Sequence, residues 1–216
     1  QGKINTPTRN AAAEVPLEFE RLDPGVKMGL VFQAKLNGDI VFSQPLTVHS
    51  RQIFSGRVGQ AGAMLPDEMI GKLESMGLKL ENLSDFSDEI KLMLVEASSY
   101  AENPGLLASL MDKGVTLVMF TPDDETEIQL PQAKIREIRQ IFPSDAKIGG
   151  SLNVISGKEK TAIHIAGGGL IEVNYRQGKI IIVSDALREA LDKTPGAALM
   201  LISSMNLNNQ RQEKKP

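Results

Sequence analysis

The chain has 216 residues, 41% of them hydrophobic and 24% charged, with a formal net charge of -3. This composition suits a globular body that builds its own core without a staple, and the complete lack of Cys excludes disulfides, thiol nucleophiles and Cys-ligated zinc. A weakly acidic total and 4% aromatic residues with no Trp argue against a nucleic-acid binder, which needs a basic face and stacking platforms.

Residues 1–24 carry three prolines, an Ala triplet and scattered polar side chains without a period, and read as a flexible N-terminal arm or linker. The short apolar stretch Val15, Leu17 and Phe19 inside it is a candidate partner-binding element, because an arm of this kind can add a strand to a neighbouring sheet. Met28, Leu30, Phe32, Ala34 and Leu36 then alternate with other residues at period two, which predicts a strand. Asn37-Gly38 predicts a type I′ hairpin turn, and residues 40–49 the returning strand, with Pro45 pointing to an edge position or a bulge.

Residues 51–64 are Gly-rich and irregular. A helix is predicted after Pro66 on the stripe Met69, Ile70, Leu73 and Met76, stopping at Gly77. Ile90, Met93, Leu94, Ala97 and Ala101 fit helical spacing, with Ser87 as the cap, and a third helix runs from Pro104 to Gly114. The apolar run 115–120 is short enough for a strand buried on both faces. Pro131 is expected to open a helix carrying Ile135, Ile138 and Phe142. Residues 147–183 read as a meander with a short loop at Arg176-Gln177-Gly178. Two helices follow, one capped by Asp185 and one beginning at Thr194-Pro195, and residues 206–216 form a polar tail.

Short hairpins at both ends and helices in the middle give α+β as the fold class, with a mostly antiparallel sheet and helices packed on one face. One domain over residues 25–205 is expected. A subdivision near 143–147, where Pro143-Ser144-Asp145 resembles a linker, is the alternative.

Candidate chemistry is sparse. Arg57 and Gly59, within the run Gly56, Gly59 and Gly62, form an anion-binding candidate because a Gly-rich loop exposes backbone N–H groups, yet no Lys-Ser or Lys-Thr follows as a phosphate loop requires. Gly167-Gly168-Gly169 lies between strands and has no helix N-terminus to hold a pyrophosphate. Asp123, Asp124 and Glu127 are candidate metal ligands, since hard cations such as Mg²⁺ or Ca²⁺ take oxygen donors. A solvated acidic turn is the plainer reading of the same residues. His49 and His164 lack the spacing of a zinc site, and no nucleophile-elbow pattern is present. Met64, Met69, Met76, Met93, Met111 and Met119 read as core rather than as an adaptable groove.

The residues therefore point to a non-enzymatic structural or adaptor component of a larger assembly, of a bacterial envelope or virion type, that engages a protein partner or its own copies through the arm. No cofactor is expected on that reading. The alternative is a metal-assisted hydrolase or transferase that holds an anionic substrate with the acidic loop 123–127, using Mg²⁺ or Ca²⁺, and closes the Gly56–Gly62 loop over it. The absence of Cys and a start at Gln1, as a removed signal peptide would leave, favour a periplasmic or secreted location, with a cytoplasmic one as the alternative. No run is apolar and long enough to predict a membrane-spanning helix.

Overall fold

A computed structural model describes residues 22–82, 90–121, 128–131, 134–141, 150–156, 160–167 and 169–206. The fold is α+β. Its centre is a seven-stranded sheet in the order β4 (Leu80–Asn82), β3 (Ala61–Met64), β5 (Leu92–Glu96), β6 (Thr116–Phe120), β12 (Gly178–Val183), β11 (Leu170–Tyr175), β8 (Ile135–Ile141). The first five of these strands are mutually parallel, and β11 and β8 are added antiparallel. The sheet is thus mixed, and the expectation of a mostly antiparallel one is too loose. Parallel pairing follows from the helices α1 (Asp67–Ser75), α2 (Ala97–Glu102) and α3 (Pro104–Asp112), which return the chain to the sheet's other end before the next strand.

The helices also divide between two faces. Leu94, Val118, Phe120, Ile181 and Val183 pack in one layer with α1, α4 (Asp185–Ala190) and α5 (Pro195–Asn206). Met93, Val95, Leu117, Met119, Ile180 and Ile182 pack in the other. That second layer contains Leu107, Leu110 and Met111 of α3, together with Ile128 and Leu130 of β7 (Ile128–Pro131) and Ile163 of β10 (Lys160–Gly167). Strand residues alternate between the layers because successive Cβ atoms point to opposite faces. A strand buried on both faces is apolar at most positions, and β5, β6 and β12 are buried along their whole lengths, with Glu96, Thr116 and Lys179 as their polar members.

This double burial explains the first departure from the sequence reading. Residues 92–96 form a strand where a helix is predicted, because a continuous apolar run fills the helical template at every spacing. Among the described residues of that stretch only Ala97–Glu102 is helical, and Ser87 lies outside them. The second departure is β8, a strand where Pro131 was expected to open a helix. Asn174 pairs with Glu137 and Tyr175 with Ile135, so Arg136 is an inserted bulge residue. The bulge lets Ile135 and Ile138, three apart, both pack in the second layer, and spacing three is what imitated a helix. Phe142 and the candidate linker at 143–147 lie outside the described residues.

The predicted meander splits. β9 (Gly150–Ser156) and β10 pair with β7 in a separate three-stranded sheet, whereas β11 and β12 join the main one. In the 176–178 loop it is Arg176 that takes the left-handed conformation, at φ 54°, and Gly178 is required for space. A Cβ there would strike the Val115 carbonyl oxygen and the Met111 side chain. Ser184, one residue before the expected Asp185, caps α4 by accepting from the Leu187 N–H at 3.3 Å.

The predicted hairpin forms β1 (Lys27–Leu36) and β2 (Asp39–His49), with Asn37 at φ 52° and Gly38 at φ 97° as a type I′ turn demands. These two strands make a sheet of their own, which places Pro45 on an edge strand as its missing donor requires. The base of the hairpin is tied to the body. Ser50 N–H donates to the Val26 carbonyl at 2.9 Å, Gly25 N–H to that of Gln52 at 3.1 Å, and the Arg57 guanidinium to that of Gly25 at 3.1 Å.

Candidate functional sites

Strand direction sorts the candidates by edge. The Gly56–Gly59 loop precedes β3 and sits at the amino edge of the parallel sheet, with Arg57 committed to the Gly25 carbonyl. Its own carbonyl accepts from Asn206 Nδ2 at 2.8 Å, which braces the loop against α5. Gly62 belongs to β3 itself. The loop therefore acts as a clasp at the foot of the hairpin, with one Arg57 nitrogen bonded to the Gly25 carbonyl.

The acidic candidates Asp123, Asp124 and Glu127 lie outside the described residues, as do Val15, Leu17 and Phe19. What is described is the point of departure. β6 ends at Phe120, and Thr121 is fastened to β12 through its N–H and hydroxyl, both donating to the Val183 carbonyl at 3.1 Å. The chain thus enters 122–127 from the carboxyl edge. Parallel strands of four to six residues separate that edge from the Gly-rich loop, a span of roughly 15 Å at about 3.3 Å per residue. The chain therefore leaves Thr121 at the end of the sheet opposite to the Gly-rich loop.

The carboxyl edge holds a cluster that the sequence reading missed. Glu96, at the end of β5, is buried and lies 3.5 Å from the Arg188 guanidinium, which also pairs with Asp185 at 2.7 Å. Burial pushes the Glu96 carboxyl above its ordinary range; Arg188 pulls it back and Asp185 adds to the rise. This edge is also where the winding reverses. β3 leads through α1 to β4 on one side, while β5 leads through α2 and α3 to β6 on the other. Open α/β sheets bind ligands outside the carboxyl ends at such a reversal. The available sequence signal was a lone Glu closing an apolar run, which periodicity cannot distinguish from a strand end. Among the described residues no group of three or more His, Asp or Glu is arranged to hold a metal ion.

A second buried charge is structural. Lys179 in β12 lies 3.5 Å from Glu172 in β11 and donates to the Ser204 carbonyl in the last turn of α5. It thereby neutralises a buried carboxylate and serves a helix C-terminus, which favours a cation. At the amino edge, a cleft of about 270 Å³ is lined by His49, Ser50, Arg51, Asp192 and Lys193 among others. Partial burial, with the Arg57 and Lys27 charges, pushes the His49 imidazole below its ordinary range. Burial alone would raise the Asp192 carboxyl, but the Lys72 ammonium at 3.0 Å holds it below its usual range.

The most unusual surface is the hairpin. Met28 pairs with Val48, Leu30 with Leu46, Phe32 with Gln44, Ala34 with Phe42 and, beyond a bulge, Leu36 with Asp39, so one face of the ribbon is apolar but for Gln44 at its middle and Asp39 beside the turn. The other face carries Lys27, Gln33, Lys35, Ser43 and Thr47 together with Val31, paired with Pro45, and Ile40, paired with Lys35, both exposed. Phe32 and Phe42 meet edge to face at 6.1 Å, yet both are exposed, as are Leu36 and Leu46. Alternation at 28–36 correctly predicted the strand. It carries no information about what covers the apolar side. No described helix is long and apolar enough to cross a membrane.

No family model matches the chain, and no curated protein or solved structure matches it either.

Proposed function

We propose that the protein is a non-enzymatic structural or adaptor component of a larger assembly, and that the β1–β2 hairpin is the element that engages its partner, with the arm residues Val15, Leu17 and Phe19 preceding it. One observation carries this reading: a ribbon leaves large apolar residues exposed, Phe32, Phe42 and Leu46 on one face and Val31 and Ile40 on the other, beside a body whose own core is closed without it. A two-stranded hairpin is marginal in water and needs a further layer, and exposed apolar patches of this kind mark interaction sites. The reading also fits the clasp at the foot of the hairpin, which ties the ribbon to the body through backbone bonds.

The test replaces residues 28–48 by an Asn-Gly turn and compares the two proteins by solution mass and by binding of an apolar fluorescent dye. The intact chain is expected to self-associate or to bind dye through the hairpin, and the replacement to abolish whichever is seen. If the intact chain does neither, its own residues cover the face and the reading fails.

A second reading keeps a metal-assisted hydrolase or transferase at the carboxyl edge, favoured by the departure of residues 122–127 from that edge beside Glu96 and Asp185. It requires saturable Mg²⁺ or Ca²⁺ binding that Asp123→Asn with Asp124→Asn removes. Calorimetry without such binding rejects it.

A further inference from the structure

We propose that the apolar face of the hairpin is a homodimer surface, stacked against the same face of a second copy of this chain. The proposal rests on the assembly reading above and names the partner.

Charge placement favours a second copy. Phe32, Leu36, Phe42 and Leu46 are exposed on one face around a central Gln44, with Asp39 opposite Leu36 at its turn end, while Lys27 and Lys35 lie on the opposite side of the ribbon beside exposed Val31 and Ile40. Two such faces meet without desolvating a charge at their centre, since Asp39 lies at the turn end, whereas a charged partner would have to bury its own unpaired. A bilayer is a poorer fit, because cations that could reach lipid headgroups should rim the apolar face and these two point away from it. The face is also self-complementary, as a two-fold interface requires.

Area and architecture agree. Phe32 is 41% exposed, Leu36 63%, Phe42 48% and Leu46 37%. At about 200 Å² per large side chain, and with half-buried Met28 and Leu30 added, each copy offers roughly 500 Å². Two copies together bury about 1,000 Å², the lower bound of a specific interface, so the dimer is a weak and reversible one. Stacking converts two marginal ribbons into a two-layer sandwich with sheets about 10 Å apart. Phe32 and Phe42 then occupy its centre, where aromatic anchors contribute most.

The test places a charge at the centre of the face without touching a core. Gln44 and Ser43 are both exposed neighbours on β2, facing opposite sides. Light scattering of the full chain from about 1 to 100 µM is expected to show a monomer–dimer equilibrium. Gln44→Lys should weaken it about a hundredfold by opposing like charges across the axis, Ser43→Lys should leave it unchanged, and mixing Gln44→Lys with Gln44→Glu should restore a dimer. A dimer indifferent to Gln44→Lys overturns the face-to-face arrangement. A monomer at every concentration overturns the second copy, and amide exchange then separates two cases. Fast exchange of β1 and β2 amides leaves the assembly reading standing with a foreign partner or a lipid surface, whereas protected amides mean that the chain covers its own hairpin and both proposals fall.

Discussion

Phe120 at the end of β6 is 0% exposed, and Phe42 in β2 is 48% exposed. Each stands in a strand among apolar neighbours. In the body, helices and a second small sheet close over both faces of the main sheet, so every apolar position of β5, β6 and β12 finds a partner layer. In the hairpin, no described residue forms such a layer over the apolar face. The same strand chemistry therefore gives stability where the chain covers it and, on the proposed reading, recognition where it does not.

The largest way to separate the two regions is a paired truncation. Phe120→Ala removes a fully buried ring and is expected to cost about 3–5 kcal/mol in denaturant unfolding. Phe42→Ala should change the unfolding of the body by less than about 1 kcal/mol while lowering association. Equal losses in stability would erase the distinction between body and hairpin.

Gly178→Ala is expected to cost about 3 kcal/mol, because the new Cβ meets the Val115 carbonyl, a rigid neighbour, as well as Met111. Gly38→Ala meets open space and suffers only the left-handed backbone at φ 97°, so about 1 kcal/mol or less should reach the body, and register loss in the hairpin should appear as weaker association. A body destabilised more by Gly38→Ala than by Gly178→Ala would contradict the proposed roles.

Charge effects are smaller and belong to the body. The Glu96 pKa is raised in the fold, so the proton is held more tightly folded than unfolded. That contribution is fully present below the ordinary Glu value and is lost as pH rises through the raised one. Relative to Glu96→Gln, the wild-type protein should lose stability over that window and run parallel above it; a constant difference across the window rejects the burial argument. Asp192 has a lowered pKa, so its contribution holds above the ordinary Asp value and fades as pH falls through the lowered one. Asp192 is half exposed, so Lys72→Met should cost under about 1 kcal/mol and less in high salt.

Much of this architecture was legible in the sequence. Asn37-Gly38 announced its turn because only residues tolerant of positive φ fit there, and Gly77 and Gly114, at φ 87° and 80°, mark the ends of α1 and α3 as expected. Two strands were misread for definite reasons: 92–96 because burial on both faces removes any period, and 135–141 because the bulge at Arg136 moves Ile138 into helical spacing. Of the sites, Arg57 was visible as a cation in a Gly-rich loop, but its bond to the Gly25 carbonyl depends on a contact 32 residues away that no local pattern encodes. Glu96 and Arg188 were unreadable for the same reason, being 92 residues apart. The apolar strand of the hairpin was plain, but its exposure depends on which faces the rest of the chain covers.

The central claim, that a self-sufficient body carries a ribbon meant for a partner, is tested most directly by thermal unfolding of the chain in which an Asn-Gly turn replaces residues 28–48, read beside its solution mass. Lys27 and His49 are directly paired, so a two-residue turn closes the gap without strain. The account expects a monomer whose body unfolds within a few degrees of the intact chain's transition at matched dilution. A body that fails to fold without the ribbon, or association that survives its removal, would contradict it.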